Sequence, residues 1–336
     1  MDPRQLRVID FGRVSPLRSQ TLWHAIAYGV SAGAPPTLSL MQPDSPYVSI
    51  GFHRRLEEVN REVCRQAGIP VFRRMVGGGP VYIDDGQVFF QITVPVADLP
   101  ATRARAVRML LGPAIEAFRA AGVEASLEDG GDIVEGDQKI SGHGAGQIEQ
   151  AVVVVGNLIT RFDHAAAARI MATPDPETRT EFEALMRRYV KATPVQPEEF
   201  ATAAAERYAA ALGCEARAGS LSDLEWKALE SLDSDFVDDA WLSGQSRPVP
   251  PVWLVKVKSG VFLAHASAGD TTVRVTMAFG RVIGARFSDP ALNGDAQGLE
   301  RSVLTRTVSE ARHALGDAGQ EGLSKLLGEI EAAARL

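Results

Sequence analysis

The segment VFRRMVGGGPVYIDDGQVFFQITVP, residues 71–95, decides the fold that we predict for this chain. Its apolar runs predict β-strands around a triple glycine, Gly77-Gly78-Gly79, and Asp85-Gly86 predicts a tight hairpin turn. Glycines that follow a strand allow a ligand to approach the backbone N–H groups closely. Arg74, beside them, could pair with a phosphate through its planar guanidinium group. A structural turn flanked by solvated arginines is an equally weighted alternative.

A second segment with chemical potential is GGDIVEGDQKISGHG, residues 130–144. It predicts a β-hairpin that ends in Lys139 and is followed by a flexible glycine stretch. A lysine placed there can neutralise a phosphate and polarise a carbonyl, and Asp132 could orient that lysine or hold Mg²⁺. His143 could contact a ligand or lie in a loop. Taken singly, a solvated lysine and a turn aspartate are the commoner case.

The periodicity of the flanking sequence predicts a larger mixed unit followed by a smaller one. In the larger unit, strands are predicted at 6–11, 37–41, 47–51 and within 123–161, and helices at 17–31, 56–67, 101–121 and within 164–212. In the smaller unit, we predict a helix at 221–232, a linker at 244–251, an antiparallel meander, and helices at 296–315 and 319–334. The predicted class is α/β (α+β), with mixed β-sheets flanked by helices and a small C-terminal α+β domain.

Composition and charge exclude several classes of protein. A length of 336 residues is sufficient for two domains. A composition of 45% hydrophobic and 23% charged residues is ordinary for a globular protein. A formal net charge of −7 disfavours nucleic acid or an anionic membrane as a partner. The two cysteines, Cys64 and Cys214, exclude a disulfide scaffold. Without a signal peptide or a long apolar run, the expected location is cytoplasmic.

The two segments together resemble the lipoate-protein ligase A family of the biotin/lipoate A/B ligase superfamily. The shared pattern is R-R-x-x-G-G-G-x-V-x-x-D followed by G-D-x-x-x-x-x-x-K-I-S-G, and the likeness extends upstream through residues 48–60 and downstream through the C-terminal unit. The residues that match the pattern are Arg73, Arg74, Gly77, Gly78, Gly79, Val81, Asp84, Asp132, Lys139, Ile140, Ser141 and Gly142.

The resemblance implies a catalytic domain at 1–215, with sheets enclosing a bent tunnel, and a linker with an accessory domain at 216–336. It implies ATP-dependent activation of lipoate or octanoate to an acyl-adenylate, with Mg²⁺, and transfer to a lysine of a lipoyl carrier protein (a lipoyl domain or an H-like protein). Lys139 matches the essential lysine of the family. The residues expected to bind the nucleotide or the intermediate are Arg74, Gly77, Gly78, Gly79, Val81, Asp132, Ser141, Gly142 and His143.

The chain departs from the family at several polar positions. Ile83, Val76 and Gly131 stand where the family often has histidine, serine and asparagine, and Gln150-Ala151 replaces a histidine-glycine pair. These departures predict an altered nucleotide affinity or acyl preference. They also motivate a third reading, in which the protein binds lipoate or a lipoyl domain without catalysis.

An octanoyltransferase of the same fold, acting from an acyl-carrier thioester, is the second reading. Such an enzyme uses a nucleophilic cysteine, and no cysteine lies between residues 65 and 213. Cys64 is predicted on the apolar face of a helix, where a structural role is favoured. A biotin ligase is less favoured, because its basic glycine- and arginine-rich loop is not found.

Overall fold

The structure, a computed structural model, describes residues 4–129, 131–244, 250–292 and 295–334. The strands are β1 (Arg4–Val14), β2 (Thr37–Pro43), β3 (Tyr47–Ile50), β4 (Val71–Arg73), β5 (Val81–Ile83), β6 (Gln87–Pro95), β7 (Ala125–Leu127), β8 (Ile133–Glu135), β9 (Gln138–Ser141), β10 (His143–Ile148), β11 (Ala151–Ile159), β12 (Cys214–Ala218), β13 (Val252–Lys258), β14 (Val261–Ala268), β15 (Thr271–Ala278) and β16 (Arg281–Ser288). The α-helices are α1 (Pro16–Ser31), α2 (Arg61–Gln66), α3 (Arg103–Ala120), α4 (His164–Ile170), α5 (Pro176–Tyr189), α6 (Pro197–Leu212), α7 (Asp223–Phe236), α8 (Asp239–Ser243), α9 (Ala296–Val303), α10 (Val308–Asp317) and α11 (Glu321–Ala334).

The chain forms two compact units. One consists of Met1–Ala172 and Val190–Ser246, and the other of Thr173–Tyr189 and Arg247–Leu336. The mixed sheets and helices confirm the predicted fold class. The functional division at residue 215 stays a prediction; strand β12 spans that position and pairs with β1. No helix among the described residues is both long and apolar enough to cross a bilayer.

The first unit is built around a mixed sheet with the strand order β10-β11-β6-β2-β1-β12. Strand β6 lies inside this sheet, and each of its residues except the last is buried, because helices cover both faces. On one face Phe90 packs with Phe118 of α3 and Phe200 of α6. On the other face, Phe89 belongs to an apolar cluster that includes Trp23 of α1. This second cluster also contains Met75 and Val76, which immediately precede the triple glycine; residues 75–79 are called the glycine turn below.

Two small sheets carry the segments that the sequence singled out. One has the order β4-β3-β5 and the other β7-β8-β9. The predicted hairpin at Asp85-Gly86 is wrong, because β5 pairs with β3 whereas β6 pairs with β2 and β11. Asp85 and Gly86 do form a turn, as predicted, in which the Asp84 carboxylate accepts a hydrogen bond from Gly86 N at 2.9 Å. The turn therefore connects two sheets rather than two paired strands.

The helix predicted over 56–67 is interrupted. A 3₁₀ turn occupies Leu56–Glu58, and α2 begins only at Arg61. The Asn60 side chain caps α2 by accepting a hydrogen bond from Val63 N, and Asn60 N donates to Ile170 O at 2.7 Å. The apolar period continues through this break, but asparagine binds its local backbone better outside a helix.

The second unit contains the predicted antiparallel meander, in the order β13-β14-β15-β16. Helices α9, α10 and α11 share an apolar cluster with it, and α5, from within the larger predicted unit, contacts β13. The helix predicted over 296–315 is divided, since Thr305 has a φ of 64° and Thr307 begins α10 with a capping box. The predicted linker at 244–251 lies largely outside the described residues, at 245–249.

Candidate active site

The triple glycine forms a tight turn in which the middle residue, Gly78, has no room for a side chain, whereas Gly77 and Gly79 have open space around them. A methyl group added at Gly51 would overlap the carbonyl oxygen of Gly78. Gly78 has a φ of 105°, and a Cβ there would lie 2.5 Å from Nη2 of Arg74. Both a left-handed backbone and a close approach therefore demand glycine at this place.

The guanidinium group of Arg74 organises this turn from the inside. Its Nη2 donates to the carbonyl oxygens of Gly77 and Gly79, both at 2.9 Å, and its Nη1 donates to Ser49 O at 2.8 Å. Burial lowers the pKa of Arg74 to about 10. Among the described residues, no carboxylate forms an ion pair with it, so neutral acceptors alone hold a buried cation. Its predicted contact with a phosphate stays a prediction.

The side chain of Arg73 binds different groups from those that Arg74 binds. Its guanidinium donates to carbonyl oxygens of the loop after β3, including that of Arg54 at 2.7 Å, and to Leu242 O at 3.0 Å. The indole of Trp241 in turn donates to Arg73 O at 2.9 Å. Arg73 thus satisfies carbonyl groups at the end of α8 and fastens α8 beside the glycine turn.

Lys139 lies within β9 rather than at the end of a hairpin. Its Nζ is 3.0 Å from Oδ1 of Asp132, whose side chain is buried. The backbone of Lys139 is fixed as well, because its carbonyl oxygen accepts from Lys191 N at 3.0 Å. The carboxylate that the sequence nominated as an orienting group therefore contacts the predicted catalytic lysine.

The glycines after Lys139 are not a flexible stretch, contrary to the prediction. Gly144 and Gly146 lie in β10, which pairs with β11 throughout, and Gly142 immediately precedes it. Alternate residues of a strand share a face. A Cβ at Gly142 would lie 2.9 Å from Nζ of Lys139, one at Gly144 would lie 3.6 Å from Gly77 O, and one at Gly146 would lie 2.5 Å from the Val76 side chain.

Gly142, Gly144 and Gly146 form a surface without side chains, hereafter the β10 glycine face, which lies between Lys139 and the glycine turn. The three glycines contact the lysine ammonium at one end and the turn at the other. Strand β10 therefore links in space two motifs that are far apart in sequence. A side chain at Gly142 would displace the lysine and one at Gly146 would displace Val76, whereas a methyl group at Gly144 would reach only ordinary contact distances.

The other predicted binding residues lie around this face in different environments. Ser141 is buried, and its Oγ accepts from Asn157 N at 3.3 Å. The His143 ring fills the space where a Cβ of Gly131 would stand, 2.5 Å from its Cε1. Val81 begins β5 and is 42% exposed. The binding roles of all these residues stay predictions.

The departures from the family pattern have structural partners here. Gly131 has a φ of 95° and no room for a side chain beside His143. Val76 is buried against Gly146, and Ile83 is buried in the same apolar cluster as Val76. Val76 and Ile83 thus place packed apolar side chains at positions where the family often has polar ones.

Sequence reasoning missed two polar residues that fix the site. Asn157 of β11 accepts from Gly142 N at 2.7 Å and donates to Gln87 at 2.9 Å, so it holds the glycine next to Lys139. His24 of α1 accepts from Met75 N at 3.1 Å, inside the glycine turn. The available signal was a polar residue within a buried run, as in VVVVGNLI for Asn157.

No group of three or more histidine, cysteine, aspartate or glutamate side chains is arranged to hold a metal ion among the described residues. Among the described residues, the carboxylate that pairs with Lys139 is that of Asp132. One carboxylate suits Mg²⁺ that takes its other ligands from substrate phosphates and water, and it does not suit a protein cage. The residues present therefore fit a metal that arrives with a nucleotide.

Comparisons with known proteins agree on one family. A model of the lipoyl protein ligase A/B catalytic domain matches residues 16–204. The octanoyltransferase LipM of Kyrpidia tusciae is 25% identical over 270 residues, which cover 70% of this chain and 97% of that protein. The lipoate-protein ligase LplJ of Bacillus subtilis is 32% identical over 133 residues, which cover 38% of this chain but only 39% of LplJ.

Solved structures show the same fold. A bi-partite lipoate protein ligase of Thermoplasma acidophilum, described with its E2 lipoyl domain, has a TM-score of 0.65 at 21% identity and covers 74% of this chain and 99% of that one. A lipoate-protein ligase A bound with ATP has a TM-score of 0.61 at 22% identity, with 73% and 99% covered.

Proposed function

Because this chain belongs to the lipoyl protein ligase A/B catalytic family, we propose that it is a lipoate-protein ligase. In this proposal it activates lipoate or octanoate with ATP and transfers the acyl group to a lysine of a lipoyl carrier protein, a lipoyl domain or an H-like protein. The observation that carries the proposal is the position of the Lys139 ammonium group, 3.0 Å from Asp132 and next to Gly142, at one end of the β10 glycine face whose other end meets Val76 and Gly77.

The proposed chemistry has two steps. A carboxylate oxygen of the acid attacks the α-phosphorus of ATP, and the bond from that phosphorus to the pyrophosphate oxygen breaks. The neutral amine of the carrier lysine then attacks the acyl carbonyl carbon, AMP leaves with the bonding electron pair, and the amine loses a proton. Both steps build negative charge on phosphoryl or carbonyl oxygens, which a fixed cation stabilises.

In this proposal Lys139 is the fixed cation, and Asp132 is the group that keeps it in place. A lysine is flexible by itself, so a buried carboxylate at 3.0 Å and a backbone bonded to Lys191 favour a preorganised ammonium group. Arg74, buried without a carboxylate partner among the described residues, is the proposed second source of positive charge. Asp132 would also hold Mg²⁺ together with the ATP phosphates, and the ion would neutralise phosphate charge there.

The apolar side of the proposed site suits an acyl chain. Met75 and Val76 of the glycine turn share an apolar cluster with Val153 and Ile148 of the neighbouring strands. Burial of each CH₂ group contributes about 0.8 kcal/mol, so an eight-carbon chain gains affinity with few polar contacts. The apolar residues Val76 and Ile83, in place of the usual polar ones, favour a fatty chain over a polar substrate.

The second candidate is an octanoyltransferase of the same fold, favoured by the K. tusciae relative, whose match covers 97% of its length. That chemistry needs a thiolate at the acyl carbonyl. Cys64 is buried in α2, where burial raises its pKa, and Cys214 begins β12, so neither cysteine belongs to the strands that carry Lys139. Their positions favour the ligase. A binding module without catalysis remains the third candidate.

The deciding experiment follows the mass of an apo lipoyl domain incubated with the protein, lipoate and Mg-ATP. We expect ATP-dependent acylation, lowered about a hundredfold or more in Lys139→Ala because the fixed cation is lost. Lys191→Ala is the matched control, since it removes an ammonium group that pairs with Glu135 of β8 at 2.5 Å but keeps the backbone N–H that donates to Lys139 O. Its activity should stay near that of the wild type.

Other outcomes assign the other candidates. Acylation from an octanoyl-carrier thioester without ATP would establish the transferase. Tight lipoate binding without pyrophosphate release would establish a binder. Equal activities of the Lys139→Ala and Lys191→Ala variants would refute the role of Lys139.

A further inference from the structure

His24 is the only histidine of α1 and is fully enclosed in the apolar cluster beneath the glycine turn. Its ring stacks on Trp23 with centroids 3.5 Å apart and meets the edge of Phe236 at 4.9 Å. A buried imidazole in apolar surroundings is costly unless both nitrogens are bonded. The partners of its two ring nitrogens therefore indicate which role the buried His24 has.

Both ring nitrogens of His24 have backbone partners. Nδ1 lies 2.5 Å from Gln20 O, one helical turn earlier, and Nε2 lies 3.1 Å from Met75 N. A carbonyl can only accept and an amide N–H can only donate, so the ring is neutral with its proton on Nδ1. Burial, assisted by the charge of Arg74, lowers the pKa of His24 to about 3, which keeps the acceptor at Nε2 available.

The same turn of α1 also holds the neighbouring arginine. The side-chain carbonyl of Gln20 accepts from Ser49 Oγ at 2.9 Å, and Ser49 O accepts from Arg74 Nη1 at 2.8 Å. The amide of Gln20 donates to Tyr47 at 2.8 Å. The backbone of Met75 and the guanidinium of Arg74 are thus fixed to one helical turn by separate hydrogen bonds.

We propose that His24 is a positioning residue that fixes the glycine turn, and with it Arg74, through the hydrogen bond that Nε2 accepts from Met75 N. The proposal deepens the proposed function and rests on it for its effect on catalysis. Its direct structural consequence, protection of one amide proton, is independent of the reaction.

The test compares two substitutions of nearly equal size. In His24→Gln, the side-chain oxygen reaches the position of Nε2 and can accept from Met75 N, whereas His24→Met fills the space without a strong acceptor. Tyr28→Phe is the control, since Tyr28 lies one turn further along α1 and its hydroxyl donates to the side-chain sulfur of Met75, at 3.9 Å, rather than bonding the Met75 amide. Circular dichroism establishes that each variant is folded.

The first measurement is hydrogen exchange of the Met75 amide, resolved by NMR. We expect exchange about tenfold faster in His24→Met, as for the loss of one hydrogen bond, and near the wild-type rate in His24→Gln and Tyr28→Phe. The second is kcat/KM for lipoate-dependent pyrophosphate exchange with ATP. It should fall about tenfold to a hundredfold in His24→Met and recover to within about threefold in His24→Gln.

Equal exchange of the Met75 amide in all proteins would overturn the proposal, as would equal losses of kcat/KM in the Gln and Met variants, since these would assign His24 to packing alone. If the wild type forms no adenylate, the proposed function fails, and the amide exchange still decides whether His24 holds the turn. If His24→Met does not fold, His24→Asn replaces it, because its shorter amide can reach Gln20 O but not Met75 N.

Discussion

A methyl group at Gly142 should displace the Lys139 ammonium group without unfolding the protein. The Cβ of Gly142→Ala would stand 2.9 Å from both Cε and Nζ of Lys139, and the backbone at Gly142 has no positive φ that would strain an alanine. Non-bonded carbon atoms prefer about 3.5–4.0 Å, so the end of the lysine must retreat by roughly 0.5–1 Å. The lysine is flexible and its side chain is 21% exposed, so it can do so.

We predict that this retreat weakens the proposed reaction. The Nζ of Lys139 is 3.0 Å from Asp132, and a further 0.5–1 Å takes the pair to roughly 3.5–4 Å, beyond good hydrogen-bond length. A 1 Å misplacement of a catalytic group can lower the rate by about a hundredfold. We therefore expect lipoate-dependent pyrophosphate exchange to fall about tenfold to a hundredfold. The free energy of unfolding should change by less than about 1 kcal/mol, because the partly exposed lysine end shifts and the ion pair is lengthened rather than removed.

The assay pairs initial rates of pyrophosphate exchange with thermal melting. Gly144→Ala is the matched control on the same face, where the added methyl would reach only ordinary contact distances, 3.6 Å from Gly77 O and 3.7 Å from Val76. It should lower the rate much less than Gly142→Ala. An unchanged rate in Gly142→Ala would refute the reasoning. A lost rate together with a large fall in melting temperature would assign the effect to packing rather than to lysine displacement.

Two further predictions concern stability. Burial lowers the pKa of His24 from an ordinary 6.5 to about 3. Between these two pH values the unfolded chain binds one more proton than the folded chain. The free energy of unfolding should therefore fall by at most about 1.4 kcal/mol per pH unit as the pH drops through that window. Urea titrations at several pH values should show this slope reduced in His24→Gln, and equal slopes would contradict it. Gly29→Ala should destabilise the fold by about 3 kcal/mol, since its methyl would overlap the buried Glu225 carboxylate, which pairs with Arg7. Gly112→Ala, a helical glycine with open space around it, should instead stabilise by about 0.5–1 kcal/mol, and a similar effect of both changes on the urea midpoint would contradict the clash.

Local patterns in the sequence were sufficient for most elements. The alternation of apolar residues after residue 250 predicts the β13–β16 meander, and the apolar run in β6 predicts its burial. The failures lie where a side chain overrides the pattern. Asn60 ends a helix that its apolar period would continue, and Thr305, with a positive φ, divides another. The periodicity of apolar residues does not show where a polar side chain such as that of Asn60 competes for backbone hydrogen bonds.

The sequence by itself determined the family, because each motif is contiguous and can be recognised without knowledge of the fold. It also nominated Asp132 as the partner of Lys139, since seven residues across a hairpin return the chain to itself. Only the tertiary structure decided that the β10 glycine face joins the lysine to the glycine turn, and that His24 supports Met75 from a distant helix. These contacts depend on how separate elements pack, and a hydrogen bond between residues far apart in sequence leaves no periodic trace in the chain.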